Sequence, residues 1–145
     1  MSVRHSRVRL LLVYLDILKK EIDRSTISSV AEKATTLLLS PSFSDGRDLT
    51  NHGYALAADI GLLVVEALEN KFESIRWAIQ LRPKSDISYL MPCYTYLGSK
   101  VLRNPIFIST SSACAVIRQE RGMEQWLAWH DQVVSEITEA SQASG

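Results

Sequence analysis

The stretch that most limits what this chain can become is residues 54–68, YALAADIGLLVVEAL, where only Asp59 and Glu66 carry charge. A helix that is apolar on nearly every side belongs in the middle of a core. The stretch is too short and too charged to span a bilayer, which needs about 20 apolar residues. It therefore predicts a buried central helix over about 52–69, with the rest of the chain wrapped around it.

The remaining composition suits such a wrap. The chain has 145 residues, a length that predicts one domain, with residues 1–3 and 141–145 fraying. It is 46% hydrophobic and 22% charged, which argues against disorder. Six glycines and four prolines are few, and scarce breakers favour helices over a many-turned β fold. Cys93 and Cys114 are too few for a disulfide scaffold and read as reduced thiols. Residues 1–15, MSVRHSRVRLLLVYL, are basic and acid-free like a targeting segment. However, the uninterrupted apolar run over 10–15 is short, Asp16 ends it, and no small-residue cleavage site follows. The expectation is a soluble cytoplasmic protein with no membrane span.

Helical periodicity runs along most of the chain. Over 3–23, Val8, Leu11, Leu12, Leu15, Leu18 and Ile22 form a stripe that Leu10, Val13 and Ile17 widen, predicting a deeply packed first helix. Ile27, Val30, Ala31, Ala34, Leu37 and Leu38 predict a second, with Ser29 and Glu32 at capping-box spacing and an end before Pro41. Residues 40–51, SPSFSDGRDLTN, are the clearest loop, and Thr50 or Asn51 can cap the central helix. Residues 71–82 read as another helix through Phe72, Ile75 and Ile79. Ile87, Leu90, Met91, Tyr94, Leu97 and Val101 keep helical phase across Pro92, predicting a kinked helix. Asn104–Pro105 looks like a cap with proline at the first helical position; IFIST after it also suits a strand, but no partner strand is evident nearby. The last helix, 123–140, carries one stripe of Met123, Trp126, Leu127, His130, Val133, Val134 and Ile137. Together these predict an all-α, single-domain irregular bundle of five to seven helices.

No motif commits the chain to a chemistry. A nucleophile elbow, a papain-like or caspase-like cysteine context, a CxxC, a Walker A loop and a GxGxxG are all missing from the sequence. His52, Asp59 and Glu66 are spaced by seven, about 10.5 Å of helical rise, too far apart for one ion. They read as a solvated stripe, or Asp59 pairs with an arginine of the first helix. His130, central in its apolar stripe, reads as a core histidine donating to a backbone carbonyl. No metal and no cofactor are expected.

Sixteen basic residues balance sixteen acidic ones, so no global field gathers nucleic acid. The charge is polarised all the same. Residues 1–24 hold six basic against three acidic groups, a net +3, and residues 123–145 hold four acids and no lysine or arginine. Opposed ends suit packing of the first helix on the last, or antiparallel self-association. Arg4, Arg7 and Arg9 form a basic cluster, while Tyr89, Tyr96, Lys100 and Arg103 fall on one side of the kinked helix, an aromatic-and-cation pattern that can stack on bases. Trp129 sits about 90° from the stripe of its helix, where it serves as a binding anchor or closes the core margin.

By elimination the sequence reads as a small protein-interaction module: an adaptor, regulator or inhibitor, including a neutralising partner of a toxin or enzyme. Its partner is another protein or a second copy of itself, met through Arg4, Arg7, Arg9, Tyr89, Tyr96, Lys100, Arg103 and Trp129. Two alternatives stand beside it: a nucleic-acid-associated regulator using the basic first helix, and an enzyme with a site near His130 or His52.

Overall fold

The computed structural model describes residues 2–81, 83–86, 88 and 90–144. Its elements in chain order are α1 (Val3–Tyr14), α2 (Arg24–Leu38), α3 (Asn51–Lys71), β1 (Arg76–Ile79), β2 (Pro92–Thr95), α4 (Pro105–Ile117) and α5 (Gln125–Ser144). The all-α expectation is thus corrected: among the described residues there are five helices and a two-stranded antiparallel sheet. No helix is long and apolar enough to cross a membrane, among those residues.

The central helix sits where its composition puts it. Leu56, Ala57, Ile60, Leu63, Val64, Val65, Ala67 and Leu68 of α3 are all buried. Thr50 caps it, its hydroxyl accepting from the Gly53 amide at 3.2 Å. α4 packs on α3 where Gly61 leaves room for the backbone of Pro105. Asn104 caps α4 by accepting from the amides of Ile106 and Phe107, with Pro105 in the first turn. The Ser109 hydroxyl then ties three helices together: it donates to Ala57 O of α3 and accepts from Trp126 Nε1 of α5 at 2.9 Å.

Two stretches depart from the helical reading. The first helix stops at Tyr14 instead of reaching residue 23. Asp16 takes a left-handed conformation (φ 56°), and Lys33 of α2 donates to the carbonyls of Leu15 (2.7 Å) and Asp16 (3.3 Å), capping the helix end from a distance. α2 begins earlier than Ser29 because Asp23 and Thr26 form the capping box.

The second departure is the segment 72–101, expected as two helices and found as a hairpin. Arg76 pairs with Thr95, Trp77 with Tyr94, Ala78 with Cys93 and Ile79 with Pro92. Pro92 is the first residue of its strand, a place proline tolerates, and not a kink. The other side of Tyr94 is bridged to Arg103 by amide-to-carbonyl bonds of 2.8 and 2.9 Å. Ile87 and Tyr89, expected within the kinked helix, lie outside the described residues. Cys93 is buried, Cys114 is half-buried, and neither forms a disulfide. Burial pushes both thiols above their ordinary range.

Candidate functional site

α1 lies against α3 through a stripe of Val8, Leu11 and Leu12. Its arginines turn to internal partners. Arg7 donates to both oxygens of Asp59 (3.1 and 2.8 Å), which raises the guanidinium pKa further through that hydrogen bond and charge. Arg9 donates to Glu66 at 2.7 Å; the Glu66 side chain is only 4% exposed, with His5 Nε2 3.7 Å away. Arg4 lies over the Trp77 ring, 4.3 Å from its centroid. The 59/66 pair is therefore a set of ion-pair acceptors and not a solvated stripe. All three basic residues proposed for a partner contact at the start of the chain are engaged inside the molecule.

The second set of sequence candidates meets in an aromatic cluster. Tyr94 is fully buried, with Tyr96 stacked on it at 5.9 Å and Trp77 and Trp129 each tilted at 6.4 Å. Trp129 Nε1 donates to the Tyr94 hydroxyl at 2.8 Å, so this tryptophan closes the core margin. Tyr96 is 4% exposed and donates to Glu136 of α5. Burial, then the neighbouring carboxylate, pushes the Tyr96 phenol up, while the same hydrogen bond draws Glu136 down. Arg103 lies over Tyr96 at 5.8 Å. Tyr96, Lys100 and Arg103 thus do not share a helix face: Tyr96 is packed away, and Lys100 is exposed in the turn region after β2. Tyr89 lies outside the described residues. Tyr94, Trp77 and Glu136, which bind this cluster together, carry no sequence signal beyond being aromatic or acidic.

Two concave surfaces escape the sequence reading. One is a groove of about 380 Å³ between α1, α3 and the 40–50 loop, lined by Leu10, Leu11, Tyr14, Phe43, Ala55 and Leu56. His52 borders it, 6.4 Å from the Phe43 ring. Beside it, the outer side of α1 exposes Val3, Leu10, Val13 and Tyr14, four residues of a helix expected to be deeply packed. Leu18, expected in the buried stripe, is 95% exposed beyond the helix end.

The other is a cleft of about 860 Å³ lined in part by Arg24, His130 and Asp131. His130 is buried, but its Nδ1 meets the Asp131 carboxylate at 3.0 Å, not a backbone carbonyl. Among the described residues no three histidine, cysteine or acidic side chains gather as metal ligands. Compared with protein-family models, curated proteins and solved structures, the chain matches none.

Proposed function

We propose that the chain is a protein-interaction module that docks an amphipathic helix of a partner protein on the outer side of α1 and in the groove beside it. The observation supporting this reading is that α1 is apolar on both sides. Val8, Leu11 and Leu12 are buried, while Val3, Leu10, Val13 and Tyr14 are 60–79% exposed. Exposed apolar side chains gathered on one side of a helix mark a contact site.

The groove's form favours a helix as the occupant. Leu10, Tyr14, Phe43 and Leu56 give it an apolar floor, and Arg7 and Asp59 at its flank neutralise each other. The outer face of α1 alone measures about 18 Å by 10 Å. That is far below the roughly 800 Å² per partner of a stable interface. Two α1 helices laid face to face would make only a small contact, whereas a helix laid along the groove meets α1, Phe43 and α3 together.

The test places a photo-crosslinking residue at Leu10 and, separately, at His52 in the native cell. Crosslinks from both positions should fall on one short segment of a different protein, with apolar residues at helical spacing. The double variant Leu10→Asp, Val13→Asp should keep its helical circular dichroism and lose that complex. Crosslinks joining two copies of this chain, or a complex indifferent to the aspartates, would overturn the reading.

A further inference from the structure

β1 forms one edge of the sheet, and the bonding pattern fixes which way its backbone points. The amide and carbonyl of a strand residue point to the same side, and successive residues alternate. The Tyr94 amide and carbonyl bond to Arg103, away from β1. Cys93 and Thr95 therefore turn theirs toward β1, where they stand opposite Ala78 and Arg76. Gln80 keeps the same phase: its amide donates to Met91 O at 3.3 Å, and its carbonyl accepts from the Leu90 amide at 2.7 Å. The amides and carbonyls of Trp77 and Ile79 are thus left pointing outward, away from β2. Among the described residues no strand, bridge or other backbone group takes them up.

Proteins blunt such an edge with a lysine, a proline, a bulge or a covering element. Residues 77–79, Trp-Ala-Ile, carry neither a charge nor a proline. Ala78 is exposed, and Ile79 is 55% exposed. Arg76, the charge of β1, is turned back on its own chain, its guanidinium donating to Ile75 O at 2.9 Å. The free stretch of edge within the strand is therefore Trp77 to Ile79.

We propose that this edge pairs with the same edge of a second copy of the chain, β1 antiparallel to β1, so that the two hairpins join into one sheet. The two-fold axis passes at Ala78. Trp77 of each copy then lies opposite Ile79 of the other and exchanges both backbone bonds with it, so every outward group within the strand is satisfied. The side chains suit this register. Trp77 meets a β-branched residue, a favourable cross-strand pair. Ala78 faces Ala78 at the closer, non-hydrogen-bonded position, where a small side chain fits. Arg76 faces Gln80, so no like charges are opposed. Centring the axis on Trp77 would call on the backbone of Ile75, whose carbonyl Arg76 already holds. Centring it on Ile79 would call on Leu81, beyond the end of β1. The edge is thus complementary to itself, which makes the chain its own partner here. The contact is small, so the dimer is a reversible one.

Sedimentation equilibrium of the full chain should show a monomer–dimer equilibrium, the weight-average mass rising with concentration. Ile79→Pro removes an outward amide and none of the β1–β2 bonds, a place where an edge strand accepts proline. It should keep the parent's circular dichroism and stay monomeric throughout. The register is read by oxidation in a Cys93→Ala, Cys114→Ala background that keeps the parent's circular dichroism. Ala78→Cys should form an intermolecular disulfide, since its Cα atoms meet at about 4.5 Å across the axis, within reach of a disulfide. Arg76→Cys should not, lying about 14 Å from its counterpart. A parent that is monomeric at every concentration, an Ile79→Pro dimer as strong as the parent's, or an Arg76→Cys disulfide that forms as readily as that of Ala78→Cys would overturn the pairing. The Leu10→Asp, Val13→Asp variant should dimerise like the parent, and Ile79→Pro should keep the crosslinks of the α1 groove. No residue of β1 lines that groove, so the two readings fail separately.

Discussion

Replacing Gly61 with alanine sets helix propensity against packing, and the structure says which wins. Propensity favours alanine inside a helix by about 0.5–1 kcal/mol. But a Cβ at Gly61 would lie 2.5 Å from the Pro105 carbonyl oxygen and 3.0 Å from Ser109 Cβ. Regaining an ordinary contact at the oxygen needs a shift of about 0.9 Å between α3 and α4. Neither neighbour yields easily. Pro105 O is backbone in the first turn of α4, and Ser109 is fully buried between Ala57 O and Trp126 Nε1. Overpacking of this kind costs about 1–3 kcal/mol, and loosening a Ser109 hydrogen bond adds about 1 kcal/mol. Gly61→Ala should therefore destabilise by about 1–3 kcal/mol after the propensity gain. Urea unfolding followed by tryptophan fluorescence reads this as a lower midpoint at an unchanged slope. The thermal midpoint should fall by roughly 3 °C per kcal/mol. A variant as stable as the parent, or more so, would mean that α3 and α4 do not meet at Gly61.

Leu63, at the centre of α3 and 0% exposed, should lose about 2–5 kcal/mol on truncation to alanine through lost burial and cavity; a near-neutral result in the same urea assay would displace α3 from the core. Asp131 titrates at about 2 in the folded chain against an ordinary 3.8, so its stabilisation is complete above the ordinary value and is lost as pH falls from there through about 2. Asp131→Asn should flatten that acid slope modestly, since the pair is half exposed, and urea midpoints at about pH 5 and about pH 2.5 should draw closer together than in the parent. Equal falls in both proteins would contradict it.

What could be read from the sequence was local. The α3 spine, the Thr50 cap and the Asn104–Pro105 start each rest on residues within a few positions of one another. The end of α1 is not local, because the lysine that caps it sits 17 and 18 residues away in α2. The hairpin was hidden for a different reason. Ile75, Trp77 and Ile79 alternate as a strand does, yet Ile75 and Ile79 are also one helical turn apart. Leu90, Tyr94, Leu97 and Val101 keep helical spacing outright, and only pairing with a distant partner overrides it. With 92–95 a strand, Arg103 still lies over Tyr96, but the ring beneath it is 4% exposed and bonded to Glu136, so the pair is turned to the core margin and not to a partner.

The arginines of α1 show how charge decides which apolar surface remains for a partner. α1 has two greasy sides, so hydrophobicity alone does not determine which one faces α3. Arg7 and Arg9 stand on either side of Val8, about 100° of helix away in each direction. With Val8 turned inward, both reach carboxylates of α3 seven residues apart: Asp59 on one flank, Glu66 on the other. Turning α1 over would strand Glu66, a carboxylate 4% exposed, without the half-exposed Arg9 that neutralises it, and a buried charge without a partner is costly. It would also draw Arg4 off the Trp77 ring. The ion pairs act less as glue than as a key that seats Val8, Leu11 and Leu12 against α3. Leu10, Val13 and Tyr14 are thereby left outside, which is why a helix whose arginines are engaged internally still offers an apolar face for docking.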